Sequence, residues 1–191
     1  MSTVVDFKQY HCLAPSIVFV DMFEEELEVI ATSNASRVAP LLANCRKLLS
    51  CARAKAWPIG FVRPSLAPGG HRAQRWIDGF KPQRADMVFD RTDGSCYSSA
   101  AFASAMDGAG GVFVLAGFCA ESTGLPTFID AFRRDHGSGF IYDASASRPF
   151  GGFDAALSHR AITALASQYT AVVTTMRWIG LTQRAAQKAG P

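Results

Sequence analysis

Short β-rich apolar runs alternate with helix-patterned stretches along the whole sequence, and this alternation restricts the fold more than any other feature. Ser16-Ile-Val-Phe-Val-Asp21 reads as a fully buried strand, because β-branched and aromatic residues follow one another without a polar break. After a polar stretch, Val38, Leu41, Leu42, Cys45, Leu48, Leu49 and Ala52 recur at steps of three and four, the apolar face of a helix. Ser33 or Ser36 is the expected cap, and Pro40 fits only near the start of that helix. Pro58–Val62, Met87–Phe89, Gly111–Ala116, Gly139–Asp143 and Ala171–Thr175 read as five further strands. Helical patterns at Ser98–Met106, Leu125–Phe132, Ala155–Ser167 and from Trp178 to about Ala186 separate the later ones. Strands that alternate with helices predict an α/β three-layer sandwich, with a six-stranded, mostly parallel sheet covered by helices on both faces.

At 191 residues, with 49% of them apolar, the chain is expected to form one domain spanning residues 1–191 around one core. A net charge of +3 is too small for a nucleic-acid surface. Arg37, Arg46, Lys47, Arg53 and Lys55 read as the solvated face of a helix. The apolar runs are too short to span a bilayer, and no secretory signal opens the chain. The five cysteines, Cys12, Cys45, Cys51, Cys96 and Cys119, are odd in number and match no zinc spacing. Free thiols in a reducing cytoplasm are the expectation. The four histidines, His11, His71, His136 and His159, lack ligand spacing, so no metal is expected. No cofactor is expected either: no Gly-x-Gly-x-x-Gly follows a strand, and neither a phosphate-binding Gly-Lys-Ser/Thr motif nor a Gly-x-Ser-x-Gly elbow occurs.

In a parallel sheet, ligands bind outside the carboxyl ends of the strands. Asp21, Asp90, Arg91, Gly117 and Asp143 all fall just past a predicted strand end. A carboxylate at Asp21, after an apolar strand, must be paired or used, unless it caps the next turn. Arg91 in the same crevice would hold Asp21 charged or stabilise developing negative charge; a solvated turn residue is the alternative. Gly117-Phe-Cys-Ala-Glu-Ser-Thr-Gly124 joins a strand to a helix. Backbone N–H groups of residues 119–124, including Cys119, are the expected oxyanion pocket, and small Ala120, Ser122, Thr123 and Gly124 let a substrate approach. An ordinary βα turn is the alternative. The irregular stretch 63–85 offers Arg72, Trp76 and Phe80 as pocket walls or as loop packing.

From Ser16 to about Thr175 the chain resembles the isochorismatase-like (cysteine hydrolase) superfamily. The resemblance rests on Val18-Phe-Val-Asp21-Met22, on Gly117-Phe-Cys-Ala-Glu-Ser-Thr-Gly-Leu-Pro-Thr-Phe-Ile-Asp-Ala131, and on Asp143-Ala-Ser145. It implies a hydrolase acting on a small molecule, and a dimer or higher homo-oligomer. It also implies catalytic roles for three positions. Asp21 matches the family aspartate. Arg91 is the nearest basic residue to the family lysine; it carries the charge but cannot shuttle a proton. Thr123 occupies the position of the nucleophilic cysteine, and Ala120 that of a threonine which follows a cis peptide. A threonine hydroxyl needs a strong adjacent base that no motif here supplies. Isochorismatases proper also lack this cysteine, and their aspartate is thought to donate a proton. Three readings follow: a non-covalent hydrolase with Asp21 as general acid or base, an inactive member serving as a binding or scaffold protein, and an enzyme whose thiol is displaced to Cys119 or Cys96.

Overall fold

The computed structural model describes residues 16–65 and 74–189, with side chains described as far as residue 183. Cys12, His11, His71 and Arg72 therefore lie outside the described residues. Six strands, β1 (Ser16–Val20), β2 (Ile59–Pro64), β3 (Met87–Arg91), β4 (Val112–Gly117), β5 (Gly137–Ser145) and β6 (Ala171–Val173), form one sheet in the order β3-β2-β1-β4-β5-β6. Every neighbouring pair is parallel, so the sheet is wholly rather than mostly parallel. Among the described residues, five α-helices connect or follow the strands: α1 (Glu24–Ala54), α2 (Ala100–Gly108), α3 (Leu125–Arg133), α4 (Ala155–Ala166) and α5 (Thr175–Ala189).

The strand pleat sorts side chains into two cores. Ile17 and Phe19 of β1 join Val114 and Ala116 of β4 under α1 and α5, where Leu41, Cys45, Leu48 and Trp178 close the layer. Val18 and Val20 point the other way with Phe113 and Leu115, beneath Phe102, Met106, Phe128 and Ile162 of α2, α3 and α4. β1 is buried at all five residues because both of its faces are covered.

Helix α1 departs from expectation. It begins at Glu24, well before Ser33 and Ser36, and neither serine caps it. The stretch that reads as polar is helical because Leu27 and Ile30 alone suffice to pack it, Ile30 buried and Leu27 partly so against the first core. The helix breaks at Asn34 (φ −161°, ψ 75°). Just before the break, Thr32 and Ser33 hydroxyls donate to the carbonyls of Glu28 and Val29, a bonding pattern that bends helices. Pro40 sits inside the helix rather than at its start. It and Ser36, four residues earlier, are both exposed, so the carbonyl that Pro40 leaves without a donor can turn to water.

The order of strands reverses between β1 and β4, which pair from Ser16↔Phe113 to Val20↔Gly117. Such a switch point opens a crevice at the carboxyl ends of the two strands. Gly117 is required there: it has φ +114°, and a Cβ would stand 2.3 Å from the Val20 carbonyl oxygen.

Candidate active site

Asp21 directly follows β1 at the switch point. Its backbone is left-handed (φ 51°), a conformation Asp tolerates better than most residues. The turn is fixed on both sides: the Asp21 N–H donates to the Val62 carbonyl at 3.0 Å, and the Phe23 N–H donates to the Asp21 carbonyl at 2.7 Å. The side chain is thereby held in the crevice and is buried. Arg91, the last residue of β3, reaches it: Nη2 donates to Asp21 Oδ2 at 2.8 Å, and Nη1 donates to the Asp93 carbonyl at 2.8 Å. Asp21 Oδ1 and Arg91 Nε are buried with no hydrogen-bond partner among the described residues. Burial raises the Asp21 carboxyl above its ordinary range, and the adjacent Arg91 guanidinium only partly offsets it.

The turn after β4 provides the opposite wall. Cys119 is left-handed (φ 59°), and its peptide bonds, like all others among the described residues, are trans. A wide helical turn over Ala120–Gly124 then leads into α3. The amides of this turn are largely consumed within the protein. Ser122, Thr123 and Gly124 N–H groups converge on the Cys119 carbonyl, Thr123 at 2.7 Å, and Ala120 N–H donates to the Ala146 carbonyl at 3.0 Å. Of the amides expected to form an oxyanion pocket over 119–124, those of Ala120, Ser122, Thr123 and Gly124 are bonded within the protein, the last three to the Cys119 carbonyl. Ser122 is exposed, whereas Ala120 and Gly124 are buried.

Thr123 is completely buried, and among the described residues its Oγ1 has no partner and no base holds the hydroxyl as a nucleophile. Its carbonyl accepts from Thr127 Oγ1 at 2.6 Å, and Thr127 Oγ1 accepts in turn from the Cys96 N–H at 2.9 Å. Gly94 packs the loop after β3 onto this turn: a Cβ there would meet the Ser122 carbonyl oxygen at 2.6 Å.

The two thiols considered as displaced nucleophiles are both held protonated. Burial pushes Cys96 up to about 12. Burial, with the charges of Asp21, Glu26 and Glu121, drives Cys119 higher still. Cys119 Sγ donates to Glu26 Oε2 at 3.3 Å. Glu26 is itself buried on the first turn of α1 and is gripped by Arg148, whose Nε donates to Oε2 at 2.7 Å and whose Nη2 donates to Oε1. Glu121 Oε2 accepts the Arg148 N–H at 3.1 Å. Sequence reasoning passed over Glu26 and Arg148. Glu26 stands in a run of three glutamates that reads as a solvated, dipole-favoured helix start, and nothing local sets it apart.

Other expected site residues lie elsewhere. Asp90 is exposed and pairs with Arg63 at 2.6 Å. Asp143 is not past a strand end but inside β5, which runs on to Ser145; its Oδ1 accepts the N–H and hydroxyl of Thr175 and so holds the start of α5. Trp76 packs on Phe23 (ring centroids 4.5 Å apart) and Phe61 (5.6 Å), beside the start of α1. Phe80 is fully buried against Phe19. Among the described residues, no three His, Cys, Asp or Glu side chains gather as a metal site. No helix among them is long and apolar enough to cross a membrane.

Residues 15–177 match the model of the Isochorismatase domain family. The chain belongs to the isochorismatase family. Its fold is that of solved structures from the same group. A cysteine hydrolase from Pseudomonas syringae pv. phaseolicola 1448A is similar at a TM-score of 0.74 with 19% identity, over 90% of this chain and 93% of that one. An isochorismatase from Pseudomonas putida KT2440 gives 0.69 and 20%, over 86% and 89%. N-carbamoylsarcosine amidase from Thermoplasma acidophilum gives 0.64 and 20%, over 85% and 97%. No curated protein matches the chain.

Proposed function

We propose that this isochorismatase-family chain is a cytoplasmic hydrolase of a small molecule that works without a covalent cysteine intermediate, with Asp21 as the general acid or base. The observation that carries this reading is Asp21 itself: buried at the switch point, bonded to Arg91 through one oxygen, with no hydrogen-bond partner on the other among the described residues, and with its carboxyl raised by burial. In the forward step, the free Asp21 oxygen gives its proton to the leaving group, and Arg91 stabilises the carboxylate that remains. Water adds its hydroxyl to the electrophilic carbon and returns its proton to Asp21, so the balance is hydrolysis. Thr123 contributes its buried hydroxyl as a polar contact rather than as a nucleophile. Cys119, Ala120, Ser122 and Gly124 form the wall after β4, and Trp76 lies beside the start of α1.

The test is a hydrolysis screen of small vinyl ethers and amides with Asp21→Asn in parallel. Loss of turnover by about 10²–10⁴-fold in the variant is expected. Because the raised carboxyl acts as a donor, kcat/KM falls as pH rises through its folded value. Undiminished hydrolysis by Asp21→Asn overturns the assignment. A second reading, a binding protein on an inactive fold, draws its support from the turn amides being consumed internally. Absence of turnover across the screen favours it.

A further inference from the structure

We propose that Glu26 and Arg148 are a positioning pair for this site: a guanidinium-clamped carboxylate that sits beside Asp21 and keeps the catalytic proton on Asp21. The inference rests on the reading of Asp21 as a proton donor. Its basis is the way the lone pairs of two neighbouring carboxylates are occupied. Glu26 has both oxygens filled by donors, Oε2 by Arg148 Nε at 2.7 Å and by Cys119 Sγ at 3.3 Å, and Oε1 by Arg148 Nη2. A carboxylate held by both arms of a guanidinium fork, with a donor on each oxygen, has its charge matched. Asp21 has one oxygen on Arg91, and its other, buried oxygen has no hydrogen-bond partner among the described residues, although the Cys119 thiol is near enough to act on it as a donor. When the two share one low-dielectric crevice, repulsion between them is relieved by protonating the member with a free oxygen.

The groups that face Asp21 come from four elements. Arg91 on β3 favours its charged form, Glu26 on α1 disfavours it, and the Cys119 thiol after β4 bonds to Glu26 and also acts on Asp21. Cys96, on the turn before α2, is close enough for its ionisation to respond to Asp21 and Arg91. Arg148 and Glu121 complete the cluster behind Glu26. Arg148 belongs to the loop between β5 and α4, so the pair also ties that loop to the first turn of α1. Residue Arg148 is 122 positions from Glu26, which is why no sequence spacing announces it.

The test is a titration of the side-chain carboxyls by carbon NMR on uniformly labelled full-length protein, with Asp21 assigned from Asp21→Asn. In Glu26→Gln the Asp21 midpoint is expected to fall by on the order of one pH unit. In Arg148→Gln, where Glu26 is left charged and unclamped, it is expected to rise, and Arg148→Lys is expected to restore most of the original value. A merely structural pair would not move the midpoint in opposite directions. An Asp21 midpoint unchanged in both Gln variants overturns the inference, even if Asp21→Asn abolishes turnover. Should the screen find no substrate, opposite shifts in the titration still establish the pair. Folding of each variant is checked by its denaturation midpoint, and the predicted rise in Arg148→Gln, reversed in Arg148→Lys, carries the test if Glu26→Gln does not fold.

Discussion

Several polar residues in this chain are buried, and the partner of each decides what it does. His159 is the clearest case outside the crevice. Its Nε2 faces the Tyr142 carbonyl at 2.8 Å, which sets Nε2 as the protonated nitrogen, and leaves Nδ1 to accept from the Ser147 hydroxyl at 3.3 Å. Burial lowers it from 6.5 to about 4. A histidine lowered on folding stays neutral in the native state while the unfolded chain takes up a proton. Stability is therefore full above pH 6.5, falls as pH drops from 6.5 towards about 4, and falls no further below that from this group. The loss is on the order of 3 kcal/mol. Urea denaturation at pH 7 and pH 4.5 should show it, and His159→Gln should lack that component; an equal pH dependence in both proteins contradicts the account. Asp21 has the opposite sign. Its raised carboxyl costs stability at neutral pH and regains it as pH falls through the folded value toward 3.8.

At the scale of elements, the crevice exists because β1 and β4 approach closely at their carboxyl ends. Gly117 permits that approach. Its φ is strained for any L side chain, and an added Cβ would collide with backbone that cannot rotate away. Gly117→Ala is expected to lower stability by roughly 2 kcal/mol or more and to remove turnover with it, read by denaturant midpoint and by the hydrolysis assay. A variant as stable as the parent would show that the two strands can separate, and that the switch point is softer than described. Helix α1 carries a related lesson. The helix is broken at Asn34; before the break Glu26 bonds Arg148 and Cys119, and after it the following turns pack Leu41, Cys45 and Leu48 on the sheet.

For the whole molecule, the outer faces of α3 and α4 leave Phe132, Leu157 and Leu165 exposed, Leu165 at 53%. The leucines are eight residues apart on one helix, hence on the same side, and Phe132 sits on the neighbouring helix. An apolar strip of this kind is a candidate surface for a second copy of the chain. We expect a homo-oligomer in light scattering at micromolar concentration and expect Leu165→Glu to shift it toward monomer. A monomeric parent protein, or an oligomer indifferent to Leu165→Glu, sinks this surface.

The strands, the parallel sheet, the placement of Asp21 and Arg91 at strand ends and the family itself were legible from local pattern alone. Buried parallel strands are continuous apolar runs, and their periodicity survives in one dimension. The early start of α1 was not, because two apolar residues in a polar stretch make too weak a period, and packing on the sheet overrode it. Only the tertiary structure decided which strand-end residues meet. It brought Arg91 to Asp21 and left Asp90 in solvent and Asp143 on α5. It turned the amides after β4 inward, and it joined Glu26 to Arg148 and to Cys119. Hydrogen bonds and ion pairs of this kind depend on distances between atoms far apart in the chain, and residue order along a sequence does not encode those distances by any short-range rule.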